Sequence, residues 1–197
     1  MPMTTYLGNK VLDHVIGKTS YTMPGDVWLG LIRIRAQSQN LRSTEVSVGD
    51  LVMPATPNGR LYRCTTAGTT GSSEPDDPNG WPVTEGGTVT DGTAVWTEHT
   101  PSFRANSNCP ELEYTGYARV QVDAAFGAAS GGSSANASDI TFGTKTGGAD
   151  ELIGAWMTFD DDTGGNPLEY GVMTAPKLIE DADFPFFPAG SFVRSNF

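Results

Sequence analysis

The chain has 197 residues, with 12 Lys and Arg against 23 Asp and Glu, for a formal net charge of −11. A surface this acidic repels phosphate backbones and anionic headgroups, so neither nucleic acid nor membrane is an expected partner. No apolar run nears the ~20 residues that span a bilayer, yet 9 Phe, 6 Tyr and 4 Trp can build a core on large rings.

With 24 Gly and 13 Pro, the composition predicts short strands separated by frequent turns. The opening MPMTTYLGNK has no basic region followed by an apolar stretch, so no secretory signal is expected and folding in a cytosol is. The first element reads as a helix. Thr4 or Thr5 can cap it, Leu7, Val11 and Val15 form a stripe with Leu12 beside it, and Gly17 can close it. The stripe is expected to dock on a sheet or to meet a neighbouring subunit. After the Met23-Pro24-Gly25 turn, the apolar run from Val27 to Ile34 predicts a central strand.

Residues 46–100 differ in character. Short strand-like pieces at 50–53, 61–65 and 94–97 alternate with turn-rich stretches at 67–80 and 85–92, and Asn58-Gly59 is a type I′ hairpin signal. Beyond Pro101 the pattern becomes strand-rich again. Residues 117–122 alternate Tyr117, Arg119 and Gln121 against Ala118, Val120 and Val122, a strand with one buried face. Residues 128–137 read as a flexible Gly/Ser loop. Strands at 139–142 and 153–159 follow. DDDTGGNP over 160–167 is a hairpin loop and 168–174 its returning strand. The prediction is a mainly β fold: an antiparallel β-sandwich or small barrel with one N-terminal helix. Residues 1–45 and 101–197 would form the main domain and 46–100 a small inserted β subdomain.

No catalytic constellation stands out. There is no GxSxG elbow and no GxxxxGK[ST] phosphate loop. His14 and His99 lie far apart in sequence, and Cys64 and Cys109 form no CxxC pair, so no zinc site is expected. Both cysteines read as buried or half-buried thiols without a disulfide. Asp160, Asp161 and Asp162 lack EF-hand spacing and read as a solvated loop, and nothing singles out Glu111 or Glu113 as acid or base. The expectation is a non-enzyme with no cofactor and no metal.

Two stretches have a familiar look. LGNKVLDHVIGKTSYTMPGDVWLGL resembles the opening of a family of small tailed-phage virion proteins, which begin with an LxNxLLDHxxG helix and a TAYTxPxxVYVGL strand. GYARVQVDAAFGAAS, SANASDITF and IGAWMTFDDDTGGNPLEYGVMTAPKLI resemble the second half of the same family, with its GYAR strand, SNxxxIxF strand and TGGN hairpin. The resemblance covers residues 7–31 and 116–179. The middle segment, GDLVMPATPNGRLYRCTTAGTTGSSEP followed by WP and GGTVTDGTAVWTEH, resembles a small module recurrent in phage structural proteins, and loosely chitin-binding modules. The family implies a small virion component of head-decorating or tail-fibre-like type.

The expected function is therefore contact. The first reading is a capsid decoration or cement protein, a homotrimer that stabilises the head through the major capsid protein. The alternative is a tail accessory or fibre-associated protein whose middle segment binds host glycan. Location in the virion, after assembly in the host cytoplasm, is common to both. Oligomer or capsid interface candidates are Phe184, Phe186, Phe187, Phe192 and Phe197, since aromatics crowding a proline-rich end mark an interface. Prolines 185 and 188 are expected to prevent regular pairing there. Tyr62, Trp81 and Trp96 are the glycan-stacking candidates, weighed against a role in a local core.

Overall fold

Thr4 begins the first element as the sequence predicts. A computed structural model describes residues 3–75, 80–100, 103 and 109–195, and in it helix α1 spans Thr5–Val15 with the Thr4 hydroxyl accepting from the Leu7 N–H at 3.3 Å. Thr4 also ties the helix to the body, its N–H donating to the Leu168 carbonyl at 2.9 Å and its hydroxyl to that of Pro167 at 2.5 Å. Because the anchor sits at the first turn, only Leu7 is buried. Val11 is half-buried, and the far end of the stripe does not dock: Leu12 and Val15 stay 57% and 74% exposed.

The apolar run after the turn becomes β1 (Trp28–Ile34), followed by the short β2 (Ala36–Gln37) and β3 (Glu45–Val46). Next come β4 (Leu51–Met53), β5 (Tyr62–Thr66), β6 (Gly68–Thr69), β7 (Thr88–Asp91) and β8 (Ala94–Glu98). The second half holds β9 (Val120–Gln121), β10 (Ser133–Ala135), β11 (Ile140–Thr141), β12 (Glu151–Phe159), β13 (Pro167–Ile179), β14 (Phe186–Phe187) and β15 (Val193–Ser195).

A four-stranded sheet in the order β13-β12-β1-β9 is the centre of the body. β1 lies antiparallel to β12 with Leu31 opposite Trp156, and the DDDTGGNP loop joins β12 to β13. Both faces of this sheet are covered, which explains the continuous apolar pattern of β1. On one face Leu29, Leu31, Ile153 and Trp156 pack with Tyr114, Val122, Ile140, Phe142 and Phe192. On the other, Ile32, Ile34, Ala155 and Met157 pack with Leu51, Met53, Leu61, Phe103 and Tyr170. The β13 register jumps, since Ile153 pairs with Lys177 and Ala155 with Val172. Residues 173–176 therefore bulge opposite Gly154, and Pro176, which has no amide proton to pair, falls in that bulge.

A second sheet, β2-β4-β5-β8-β7, is antiparallel except for the β2–β4 pair. It alternates sides as the chain dictates. Val52, Tyr62, Cys64, Val89 and Trp96 fill a local core, while Leu51, Met53 and Leu61 reach the core shared with the central sheet. Asn58-Gly59 does not make a two-residue hairpin. It lies in the longer connection from β4 to β5, where Asn58 accepts from the Arg60 N–H at 3.1 Å and donates to the Tyr62 hydroxyl at 2.8 Å.

Three expectations are corrected. The 117–122 strand shrinks to β9, with Ala118 exposed and Val122 buried. The Gly/Ser-rich 128–137 stretch is not simply a loop, because β10 pairs with β15. The proline-rich end also pairs, β14 with β11, since Pro185 and Pro188 flank the paired residues and the Pro185 carbonyl still accepts from the Phe142 N–H at 3.0 Å. The molecule is thus mainly β, sandwich-like, with one α-helix, several antiparallel sheets and no closed barrel among the described residues.

Candidate functional site: an exposed aromatic rim

The pairing of β14 with β11 sorts the aromatic end into two groups. Ile140 faces Phe187 and Thr141 faces Phe186 across the ladder. Alternation along a strand then sends Phe187 towards the core and Phe186 outward. Phe187 is half-buried against the core cluster, whereas Phe184 and Phe186 are 47% and 48% exposed with ring centroids 5.8 Å apart. Beneath Phe186 lies an apolar dimple of about 70 Å³, walled by Met173, Lys177, Pro185 and Phe187. Two adjacent rings half in water beside a dimple form an apolar surface that a partner can cover.

Phe192 belongs to the other group. It is buried, its ring 4.7 Å from that of Trp156 in an edge-on arrangement and 5.1 Å from that of Phe187. It serves the core and is not available to a partner. Phe197 lies outside the described residues. The device that fixes this end is Asn136, which composition alone did not mark. Its amide donates to the carbonyls of Ser138 and Pro188, both at 2.9 Å, and its side-chain oxygen accepts from the Phe192 N–H at 2.9 Å. Only its place in the SANASDITF motif set it apart.

The aromatic residues of the 46–100 segment serve a local core. Tyr62 and Trp96 are fully buried, and the half-buried Trp81 ring lies between them at centroid distances of 4.7 and 6.1 Å. The Tyr62 hydroxyl donates to the Pro82 carbonyl at 2.7 Å, and the Trp81 indole donates to Glu74 at 2.8 Å. The acid that organises this segment is Glu98, fully buried, which accepts from Arg60 at 2.9 Å and from the N–H groups of Gly86 and Thr100 at 3.0 Å.

The candidate acid–base groups do not converge. His14 accepts from the Tyr21 N–H at 3.1 Å on the surface. His99 is buried, and desolvation holds its imidazole neutral with a pKa lowered to about 4. The half-buried Cys109 sulfur lies 3.8 Å from His99 Nε2, and burial pushes that thiol up to about 12. Cys64 is buried, and neither it nor Cys109 forms a disulfide. Among the described residues no group of three or more His, Cys, Asp or Glu is placed to hold a metal ion, and no helix is long and apolar enough to cross a membrane.

Glu111, Asp161 and Gly164 are gathered around Arg119. The Arg119 Nε donates to both Glu111 oxygens at 3.2 and 3.0 Å, and Nη1 donates to the Asp161 and Gly164 carbonyls at 2.8 Å each. The Tyr117 hydroxyl donates to Glu111 at 3.0 Å while accepting from the Leu31 N–H at 2.9 Å. Glu113 is exposed and pairs with Arg33 at 3.0 Å.

A mainly β body with an aromatic rim carries the helix, strand and hairpin motifs set out above. The model of one family, described as Podophage GP4 fiber I protein gp80, matches residues 2–100 and 85–195. The chain belongs to that family, and its role is fibre-related. No curated protein matches the chain.

Proposed function

We propose that the protein is a tail-associated fibre component that acts by self-association and surface contact rather than by chemistry. The observation that carries this is the aromatic rim, where Phe186, although paired within β14, and Phe184, two residues before it, both stay half exposed. A monomer gains nothing from leaving two adjacent rings in water, and covering them on assembly recovers the loss. The fibre description of the family favours the tail over the head, so the capsid-cement reading yields to the tail reading. A closed homotrimer is the proposed assembly, with a tail protein as its further partner. Residues 46–100, with a local aromatic core, are proposed as an appended subdomain. With Tyr62 and Trp96 committed to that core, they are not proposed as a glycan platform. The test is the copy number per virion on a quantitative gel, together with light scattering of the purified chain. The proposal expects few copies relative to the major capsid protein, and an oligomer that Phe184→Ser with Phe186→Ser dissociates. Copies in proportion to the capsid protein, or a monodisperse monomer, would overturn it.

A further inference from the structure

A second surface lies apart from the rim. Between the β12–β13 loop and the segment carrying Glu111 and Tyr117 there is a cleft of about 490 Å³, lined by Trp28, Tyr117, Arg119, Asp162 and Thr163 among others. Its size falls in the ~300–1,000 Å³ range of small-molecule sites, as does its pattern of an apolar lining with a few polar groups. The cleft is also held rigid. A tip rich in Asp and Gly is ordinarily mobile, yet Arg119 fastens it at two carbonyls, and Asp160 accepts from the Asn166 backbone and side chain at 2.5 and 2.9 Å. The Arg119 guanidinium in turn rests 3.3 Å from the centroid of the Phe159 ring. A wall fixed before binding lowers the entropy cost of binding.

The chemistry of the walls selects the ligand. Glu111 is neutralised by Arg119 and saturated by Tyr117. Asp162 is exposed and accepts only weakly, at 3.2 Å, from the hydroxyl of its neighbour Thr163, leaving carboxylate acceptor positions open. An anion would meet Asp161 and Asp162 on a chain of net charge −11. A cation finds Glu111 already paired and, in Asp162, a single exposed carboxylate, and no group of three or more His, Cys, Asp or Glu among the described residues is placed to hold a metal ion. What remains is a half-buried indole, a carboxylate that accepts and a hydroxyl that donates or accepts. That set suits a molecule with an apolar C–H face and a rim of hydroxyls. We infer that this cleft binds a neutral sugar residue, its C–H face against Trp28 and its hydroxyls on Asp162 and Thr163.

The inference does not rest on the rim or on self-association, so the two fail separately. The experiment is saturation-transfer NMR on the full chain with the methyl glycosides of glucose, galactose and N-acetylglucosamine. Methylammonium and inorganic phosphate serve as charged comparators. At least one glycoside should receive saturation, and neither ion should compete with it. Asp162→Ala alters an exposed side chain and should weaken binding about tenfold, the loss of one hydrogen bond to a charged group. Trp28→Leu should abolish the transfer, with circular dichroism confirming the fold, and Glu180→Ala, outside the cleft, should change nothing. Light scattering should find the same assembly in all of them. Silence from every glycoside, transfer unchanged in Asp162→Ala, or binding only of methylammonium or phosphate would each overturn the inference.

Discussion

Replacing Phe192 with Ala separates core from interface within one short stretch of chain. The ring is 4% exposed, wedged edge-on against Trp156 and flanked by Phe126 and Phe187 at centroid distances of 5.6 and 5.1 Å. Removing it deletes most of a buried aromatic side chain and leaves a cavity walled by rigid rings that cannot collapse. The expected cost is about 3–5 kcal/mol. For a domain of this size that lowers the melting temperature by about 6–20 °C. The paired perturbation is Phe186→Ser, where the ring is 48% exposed and its loss should cost less, about 1–2 kcal/mol. Urea unfolding of both variants at one protein concentration, with light scattering beside it, reads stability and assembly separately. The account expects Phe192→Ala to lose stability and Phe186→Ser to lose assembly. If Phe192→Ala unfolds like the parent and instead dissociates, the burial argument for this end is refuted.

Glu98→Ala should cost about 3 kcal/mol in urea unfolding, because Arg60 and the N–H groups of Gly86 and Thr100 lose a buried partner. Gly92→Ala should destabilise by about 2 kcal/mol or more. The residue has φ +65° and an added methyl would meet the Thr69 carbonyl oxygen at 2.2 Å, so a circular dichroism melt within a degree of the parent would contradict it. His99 titrates near about 6.5 when unfolded but about 4 in the fold. The folded state therefore binds its proton less readily. The stability it contributes is complete above about pH 6.5 and is lost as pH falls towards 4, about 3 kcal/mol in all. His99→Gln should flatten that part of the urea-midpoint profile, and an unchanged slope would refute the assignment. Cys109, its thiol pushed up to about 12, and the buried Cys64 should both ignore Ellman's reagent until urea unfolds the chain.

What the sequence disclosed depended on how local the deciding interactions are. The Thr4 cap, the doubly buried β1 and the DDDTGGNP hairpin rest on neighbours a few residues away, and their patterns stand in the sequence. The fate of the aromatic end does not. Phe187 turns inward and Phe186 outward because β14 meets β11, and Phe192 is drawn in by Asn136, a partner remote in the chain. The Gly/Ser composition of the 128–137 stretch likewise concealed β10, whose order comes from β15. Arg119 looked like an outward position on an alternating strand. It became a clamp because pairing with β1 begins only at Val120, one residue later, and the guanidinium finds Phe159 and the hairpin carbonyls. The helix shows the reverse case: its stripe is plain in the sequence, but anchoring at Thr4 alone leaves Leu12 and Val15 without a surface to cover them.

The central claim is that the protein sits at the tail and makes its contacts through the aromatic rim. Electron microscopy of intact virions labelled with a gold-conjugated antibody against this chain tests it most directly. Particles carrying the parent protein should show gold at the tail, and particles assembled with Phe184→Ser and Phe186→Ser should show little or none. Gold spread over the head shell, or tail labelling that survives the double substitution undiminished, would contradict the account.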